Sequence, residues 1–130
     1  MSTYRAGAFL HVAPALLYIG VVFYLGSIAV DPLVGVDFDF KDKVMHALAF
    51  GGMQLTHARA FSFLWPEWPR RRVALWSGLS AASFGGLLEL WQAALPHRSA
   101  DFWDFIADAV GAFVAAFVWE RVLAPRVEAS

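Results

Sequence analysis

Four long apolar stretches, separated by short polar segments, dominate the chain. They cover residues 8–30, 44–64, 73–95 and 102–123. Each is close to the roughly 20 residues with which an α-helix crosses the hydrocarbon core of a bilayer, at about 1.5 Å per residue. The pattern therefore predicts an all-α fold, a four-helix transmembrane bundle that forms a single domain over residues 1–130.

The connections between these stretches favour antiparallel neighbours. Residues 65–69 form a turn with two prolines, and residues 96–100 form a tight hairpin. The first connection, residues 31–42, is longer, and within it residues 36–41 alternate apolar and polar side chains with the period of a strand. Because unpaired backbone groups cannot lie in lipid, we expect this first loop to lie at the membrane interface.

The composition favours a membrane protein over a soluble one. Of the 130 residues, 59% are hydrophobic and 16% are charged, which leaves too little polar surface for a soluble domain of this size. All six tryptophans fall near predicted helix ends, as in the aromatic belts of membrane bundles. The absence of cysteine excludes disulfides and thiolate chemistry. The basic cluster at residues 70–72 is interpreted as a membrane-flanking anchor, so no nucleic-acid partner is expected.

The distribution of basic residues predicts how the bundle crosses the membrane. The side that holds both termini and the turn at residues 65–69 carries seven Lys and Arg residues, whereas the opposite side carries three. Because cytoplasmic segments collect Lys and Arg, we expect both termini in the cytoplasm. Eight of the eleven acidic residues belong to the opposite half, and function is one explanation of this skew.

Polar residues within the predicted spans gather at that same extracytoplasmic face. The second helix starts there, the third ends there, and the hairpin at residues 96–100 leads into the fourth. Spacings of three and four direct these residues into the bundle rather than into lipid. Small residues in the same seams, such as Gly85 and Gly111, allow close helix approach. The candidate binding residues are Asp42, Lys43, His46, Glu89, Gln92, Arg98, Asp104 and Asp108.

Part of this cluster can be purely structural. Asp42 and Asp101 suit helix N-termini as caps, because anions are favoured there. Glu89 is different, since inserting a carboxylate at its depth costs about 2–3 kcal/mol or more and glutamine would hold helices together more cheaply. We therefore expect Glu89 to be functional, and we interpret His11 and His57, which lie away from the cluster, as ordinary bundle residues.

At these positions the chain resembles the VanZ-like family of small bacterial membrane proteins. The family pattern is Asp-Lys with His three residues on, then Glu-x-x-Gln, and then an Arg, an Asp, an Asn and a Gly. The matching residues lie between Asp42 and Gly111, and they are Asp42, Lys43, His46, Glu89, Gln92, Arg98, Asp104, Asp108 and Gly111. One position departs from the pattern, because Asp108 stands where the family has Asn.

The resemblance implies a multi-pass protein of the bacterial cytoplasmic membrane, similar to one that confers low-level resistance to the glycopeptide teicoplanin. A polar site toward the extracytoplasmic face suits that context, because teicoplanin acts on cell-wall precursors there. The resemblance also implies that Asp108 is the carboxyl that is either protonated or engaged only in hydrogen bonding, since a neutral amide occupies this position in the pattern. Three carboxylates at similar depth, those of Glu89, Asp104 and Asp108, cannot all ionise cheaply.

Two classes of function stay open at this point. In the first, which needs no cofactor, Lys43 and Arg98 pair with the phosphate or carboxylate of a membrane lipid, a lipid-linked wall precursor or a lipoglycopeptide. The second is an enzyme, a metal-assisted membrane hydrolase, although no His-Glu-x-x-His signature is present. The metal ligands of that alternative would be His46, Glu89, Asp104 and Asp108.

The predicted orientation can be tested by single-cysteine labelling, which the cysteine-free chain makes simple. Cysteine placed at Ser99 should react with a membrane-impermeant thiol reagent added to intact spheroplasts, whereas cysteine at Glu67 should not. The opposite labelling pattern would reverse the orientation and would place the polar residues at the cytoplasmic face.

Overall fold

Four helices, each antiparallel to the next, form the bundle. A computed structural model of the chain describes residues 2–28, 35 and 40–124. The helices are α1 (Ser2–Ser27), α2 (Lys41–Leu64), α3 (Arg70–Ala93) and α4 (Phe102–Val118), and a π-helical turn at Trp119–Leu123 extends α4. No strand occurs within these described ranges, which confirms the all-α four-helix fold class.

The helices follow the predicted spans but begin earlier. α1 begins at Ser2 rather than at residue 8, and α2 begins at Lys41 rather than at residue 44. The reason is that hydropathy marks the part of a helix suited to lipid, whereas backbone hydrogen bonding continues through polar residues beyond it. The alternating residues 36–39 of the first connection lie outside the described part of the chain, and their interfacial placement stays a prediction.

Three helical segments are long and apolar enough to cross a membrane: Thr3–Ser27, Arg70–Ala93 and Phe102–Leu123. α2 has the length of a span but is more polar, because its first turn is charged and its interior contains Gln54 and His57. Both interior residues are covered by protein, since they are 0% and 4% exposed. α2 is therefore the polar member of the bundle, and Gln54 and His57 in its interior face other helices.

α2 lies at the centre of the bundle and packs against all three other helices. Its closest approach is to α4, where a Cβ added at Gly111 would collide with the backbone oxygen of Ala47. One turn along, a Cβ at Gly51 would lie 3.4 Å from the Gly111 oxygen. Small residues thus bring two helix backbones into contact, as is usual in membrane bundles, and fix the register between α2 and α4.

The outward surface of the bundle is apolar. Phe9 and Leu90, for example, expose 72% and 71% of their surface, and large exposed hydrophobic side chains occur on all four helices. Soluble monomers rarely expose apolar surface of this extent, whereas lipid tails cover it without penalty. The surface is therefore consistent with a protein that is surrounded by lipid.

The contact between α2 and α4 predicts the effect of adding one methyl group. Gly111→Ala should destabilise the bundle by about 1–3 kcal/mol or more, because the methyl group meets backbone that cannot rotate away. Gly20→Ala is the matched control, since nothing lies within 4 Å of the added Cβ and alanine favours a helix. Thermal unfolding in detergent measures both, and equal midpoints for the two variants would contradict the close approach.

Candidate binding site at the polar end of the bundle

One end of the bundle, here called the polar end, contains the start of α2, the end of α3 and the start of α4. The alternating direction of the helices brings these segments together although they are remote in the sequence. The eight predicted residues all lie here, in direct contact with one another or around one cavity. With Asp101, which the structure adds, they form the polar cluster: Asp42, Lys43, His46, Glu89, Gln92, Arg98, Asp101, Asp104 and Asp108.

Lys43 is the ion-pair centre of the polar cluster. Its ammonium donates to Asp101 Oδ2 at 2.8 Å and to Asp104 Oδ1, and it lies 3.5 Å from Asp42 Oδ2. Lys43 was predicted to bind a ligand anion, but the carboxylates of the protein itself already surround it. The prediction underestimated Asp101, which lies at the hairpin and was interpreted only as a cap.

The helix starts explain two of these positions. Asp101 caps α4, as predicted, because its Oδ1 accepts from the backbone N–H of Trp103 at 2.8 Å. Hydrogen bonds from Lys43 and from the Trp103 N–H lower the pKa of Asp101. Asp42 is not a cap, because α2 begins after Phe40, whose φ of 62° lies in the left-handed region. Asp42 instead lies in the first turn, where its charge suits the helix dipole.

His46 and Asp108 form the deepest polar pair in the cluster. His46 Nδ1 and Asp108 Oδ1 share a hydrogen bond of 2.7 Å, and Asp108 is 0% exposed. The other imidazole nitrogen, Nε2, lies 3.5 Å from Asp104 Oδ2. Gly85 of α3 makes room for this pair, because a Cβ there would lie 2.7 Å from the Asp108 Cβ. The seam of small residues thus allows a carboxylate to be buried between three helices.

Two buried carboxylate oxygens at this depth have no hydrogen-bond partner among the described residues. Glu89 is 7% exposed; its Oε2 accepts from the Asp101 backbone N–H at 2.9 Å, whereas its Oε1 accepts from nothing. Asp108 Oδ2 is likewise buried without a partner. Leaving a buried polar atom unsatisfied costs about 1–3 kcal/mol, and more for a charged group. Such atoms in a native bundle call for an explanation beyond helix packing.

A cavity of about 150 Å³ opens beside His46 and is closed on one side by α1. Arg98 reaches this cavity from the hairpin, and within the described ranges its guanidinium forms no hydrogen bond or ion pair. Gln92 lines the cavity too, but its amide nitrogen donates to the Gly26 backbone oxygen at 3.0 Å. Gln92 therefore attaches α1 to the polar end, which is a structural role that the sequence did not reveal.

The sequence analysis also missed the contribution of α1 to this site. The end of α1 accepts hydrogen bonds from α3: Trp91 Nε1 donates to Ser27 Oγ at 2.7 Å. In addition, Val22 and Leu25 provide apolar cavity wall. The only signal in the sequence was Gly26, where an added Cβ would lie 2.7 Å from a Leu88 methyl carbon.

The histidines outside the cluster have the ordinary roles that were predicted. His11 stacks on Phe63 with ring centroids 4.8 Å apart. His57 is buried against the rings of Phe61 and Phe84. Neither contacts the polar cluster; His11 Nδ1 accepts from Arg59 Nε at 3.3 Å, and His57 Nδ1 is buried without a partner in the described residues.

Two apolar grooves flank the polar cluster on the outside of the bundle. The groove between α2 and α4 measures about 540 Å³ and reaches Lys43 at its polar end. The groove between α3 and α4 measures about 660 Å³ and reaches Glu89 and Asp101. Each groove therefore joins an apolar surface to charged side chains, an arrangement that fits a molecule with a polar head and an apolar tail.

The ion-pair centre predicts a rescue experiment. Lys43→Met should destabilise the bundle by about 1–3 kcal/mol, because the largely buried Asp104 would lose its ammonium partner and keep only the His46 ring, 3.5 Å away. Adding Asp104→Asn should recover most of that loss, since the unpaired charge is removed. Thermal unfolding in detergent measures the set, with the exposed Arg71→Met as the control for loss of a basic residue. A double variant no more stable than Lys43→Met would argue against this pairing.

Comparison of the chain with protein-family models, with curated proteins and with solved structures finds no match in any of the three. The resemblance to the VanZ-like family stays a prediction, carried by the motif residues between Asp42 and Gly111. Function is therefore inferred from the geometry of the polar cluster.

Proposed function

We propose that this protein is a membrane protein that binds an amphiphilic ligand with an anionic headgroup at its polar end. The observation that carries the proposal is the state of Arg98. Lys43 is surrounded by carboxylates of the protein, whereas Arg98 lines a cavity and its guanidinium has no partner in the described part of the chain. A guanidinium forms paired hydrogen bonds with phosphate or carboxylate, so an anionic group is the natural partner.

The surroundings of Arg98 support an amphiphilic ligand over a free anion. The cavity has polar groups from His46 and Asp42, but most of its lining is apolar, including Leu25 and Leu88. Apolar walls with a few placed polar groups are typical of sites that bind largely apolar molecules. The two outer grooves offer further apolar surface to hydrocarbon chains close to the same end.

The proposal includes the arrangement in the membrane. α2 is the fourth span despite its polarity, because Gln54 and His57 in its interior are covered by protein and Leu48 and Leu55 are exposed on its outer side. The positive-inside distribution supports cytoplasmic termini and an extracytoplasmic polar end. A ligand would then reach the cavity from the outer leaflet of the bacterial cytoplasmic membrane.

Within this class, the VanZ-like resemblance favours cell-envelope ligands. A lipid-linked wall precursor offers a phosphate on a long hydrocarbon chain, and a lipoglycopeptide such as teicoplanin offers a carboxylate and an acyl chain. Both present the same chemistry to Arg98, which is an anion attached to an apolar tail. A role in teicoplanin resistance would follow from binding either molecule at the outer face.

The metal-assisted hydrolase is the second candidate and has less support. Its proposed ligand Asp104 is already bound by Lys43, so three of the four predicted ligands, His46, Glu89 and Asp108, are left for a metal ion. A metal-bound water would be the nucleophile of such a hydrolase.

A lipid-binding titration tests the proposal. Phosphatidic acid and diacylglycerol differ by the phosphate alone, and native mass spectrometry of the detergent-solubilised protein can count each bound molecule. Wild type should prefer phosphatidic acid, and Arg98→Ala should weaken its binding by about tenfold or more, as expected for a charge-assisted contact. Arg98→Lys should keep part of the affinity, and the distant Arg71→Ala should leave it unchanged.

Additional ligands identify the source of the anion. Undecaprenyl phosphate, teicoplanin and inorganic phosphate are titrated in the same way, and an amphiphile should bind far better than the free ion. Equal binding of phosphatidic acid to wild type and Arg98→Ala would refute the proposal, as would a preference for inorganic phosphate.

A further inference from the structure

We propose that His46, Glu89 and Asp108 form a binding site for a divalent transition-metal ion beneath the Arg98 cavity. The three residues come from α2, α3 and α4, and one ligand atom from each lies within 4.8 Å of the other two. An imidazole nitrogen with two carboxylate oxygens is a ligand set that suits Zn²⁺ or Mn²⁺. The inference is independent of which molecule Arg98 binds.

The unsatisfied oxygens of Glu89 and Asp108 are a second observation that points to a ligand. Both side chains are more than nine-tenths buried, and each keeps one oxygen without a partner in the described residues. A metal ion with its bound water supplies what both oxygens lack.

The charge balance of the polar cluster favours a cation as well. The three buried carboxylates, those of Glu89, Asp104 and Asp108, have Lys43 and His46 as basic neighbours. At least one negative charge therefore remains when all three carboxylates are ionised, even if His46 is protonated. Uncompensated charge in a low-dielectric site is expensive, and a divalent ion offsets it.

The inner position is favoured over a second grouping at the surface. Asp42, His46 and Asp104 also place ligand atoms within 4.8 Å of one another. The Lys43 ammonium, however, already contacts Asp104 and lies 3.5 Å from Asp42, so a metal ion there would lie beside another cation. The Asp42 side chain is also 70% exposed, which weakens any attraction through solvent. Glu89 and Asp108 have no such competing cation.

Metal binding would change the hydrogen bond between His46 and Asp108. Two ligands of a tetrahedral zinc ion, at about 2.0 Å from the metal, lie about 3.3 Å apart. His46 Nδ1 and Asp108 Oδ1 are 2.7 Å apart, so a metal ion bound by both of these atoms would lengthen this contact. The His46 proton would leave on binding, because a metal ligand must offer a free electron pair.

Metal analysis of the purified protein tests the inference. The chain is produced with a tag that contains no histidine, stripped with a chelator, and dialysed against Zn²⁺ or Mn²⁺ in detergent. Elemental analysis should find about one ion per chain in wild type, and a metal-dependent rise in unfolding temperature should accompany it. Glu89→Gln and Asp108→Asn should each weaken binding by about 100-fold or more, as expected for the loss of a ligand.

Control variants keep the result interpretable. Circular dichroism of metal-free Glu89→Gln and Asp108→Asn should show wild-type helix content, because both substitutions keep the shape of the side chain. Glu67→Gln removes an exposed carboxylate far from the cluster, and Arg98→Ala removes the proposed headgroup contact; neither should change metal content. Loss of lipid binding in Arg98→Ala with retained metal separates this inference from the proposed function.

Three outcomes would overturn the metal site. The first is wild-type protein that retains neither Zn²⁺ nor Mn²⁺ after dialysis. The second is equal metal content in wild type, Glu89→Gln and Asp108→Asn, which would indicate adventitious binding. The third is loss of metal in Asp42→Asn but not in Asp108→Asn, which would move the ion to the outer grouping.

Discussion

The Lys43 ammonium is the interaction on which the polar end of this bundle depends. It bonds to Asp101 and Asp104 of α4 and lies near Asp42 of its own helix, so one cation compensates carboxylates from two helices. Burying Asp104 without it would leave a charge in a low-dielectric environment, at a cost of about 1–3 kcal/mol. Lys43 and Asp101 are partly exposed, whereas Asp104 is largely buried, so the contact with Asp104 is the one that a low-dielectric environment strengthens.

This pairing requires helix backbones that approach closely. Gly111 rests against the Ala47 backbone, and Gly85 rests against Asp108, so small residues lie directly below the charged ones. A larger side chain at either glycine would separate the helices and lengthen the ion pairs above. The small-residue seams and the polar cluster are therefore one structural unit, in which the seams position charges that could not otherwise meet.

Helix packing and ion pairing do not explain three side chains at the polar end, and these side chains indicate function. The guanidinium of Arg98 lines a cavity without a partner in the described residues, and Glu89 and Asp108 each retain an unsatisfied oxygen. Folding alone would favour neutral or paired groups at these positions. An anionic headgroup above and a metal ion below would complete both sets of contacts within a single site.

The positions of the helices and the inward faces of several polar residues were predictable from the sequence. Hydropathy located all four helices, and the period of 3.6 residues placed His46, Glu89 and Asp108 on inward faces of neighbouring helices. These are local properties, because they depend on residues within a few turns of one another. The preference of anions for helix N-termini predicted Asp101 correctly as the cap of α4 and Asp42 wrongly as a cap of α2.

Only the tertiary structure decided which polar groups satisfy one another. Lys43 contacts Asp101, which lies 58 positions away in the sequence. Because Lys43 is paired with carboxylates of the protein, Arg98 is the Lys or Arg residue that lines the cavity. Helix periodicity gives the face and depth of a side chain, but not the rotation and register of two helices relative to each other. Those follow from backbone contacts such as Gly111 against Ala47, which depend on the whole bundle.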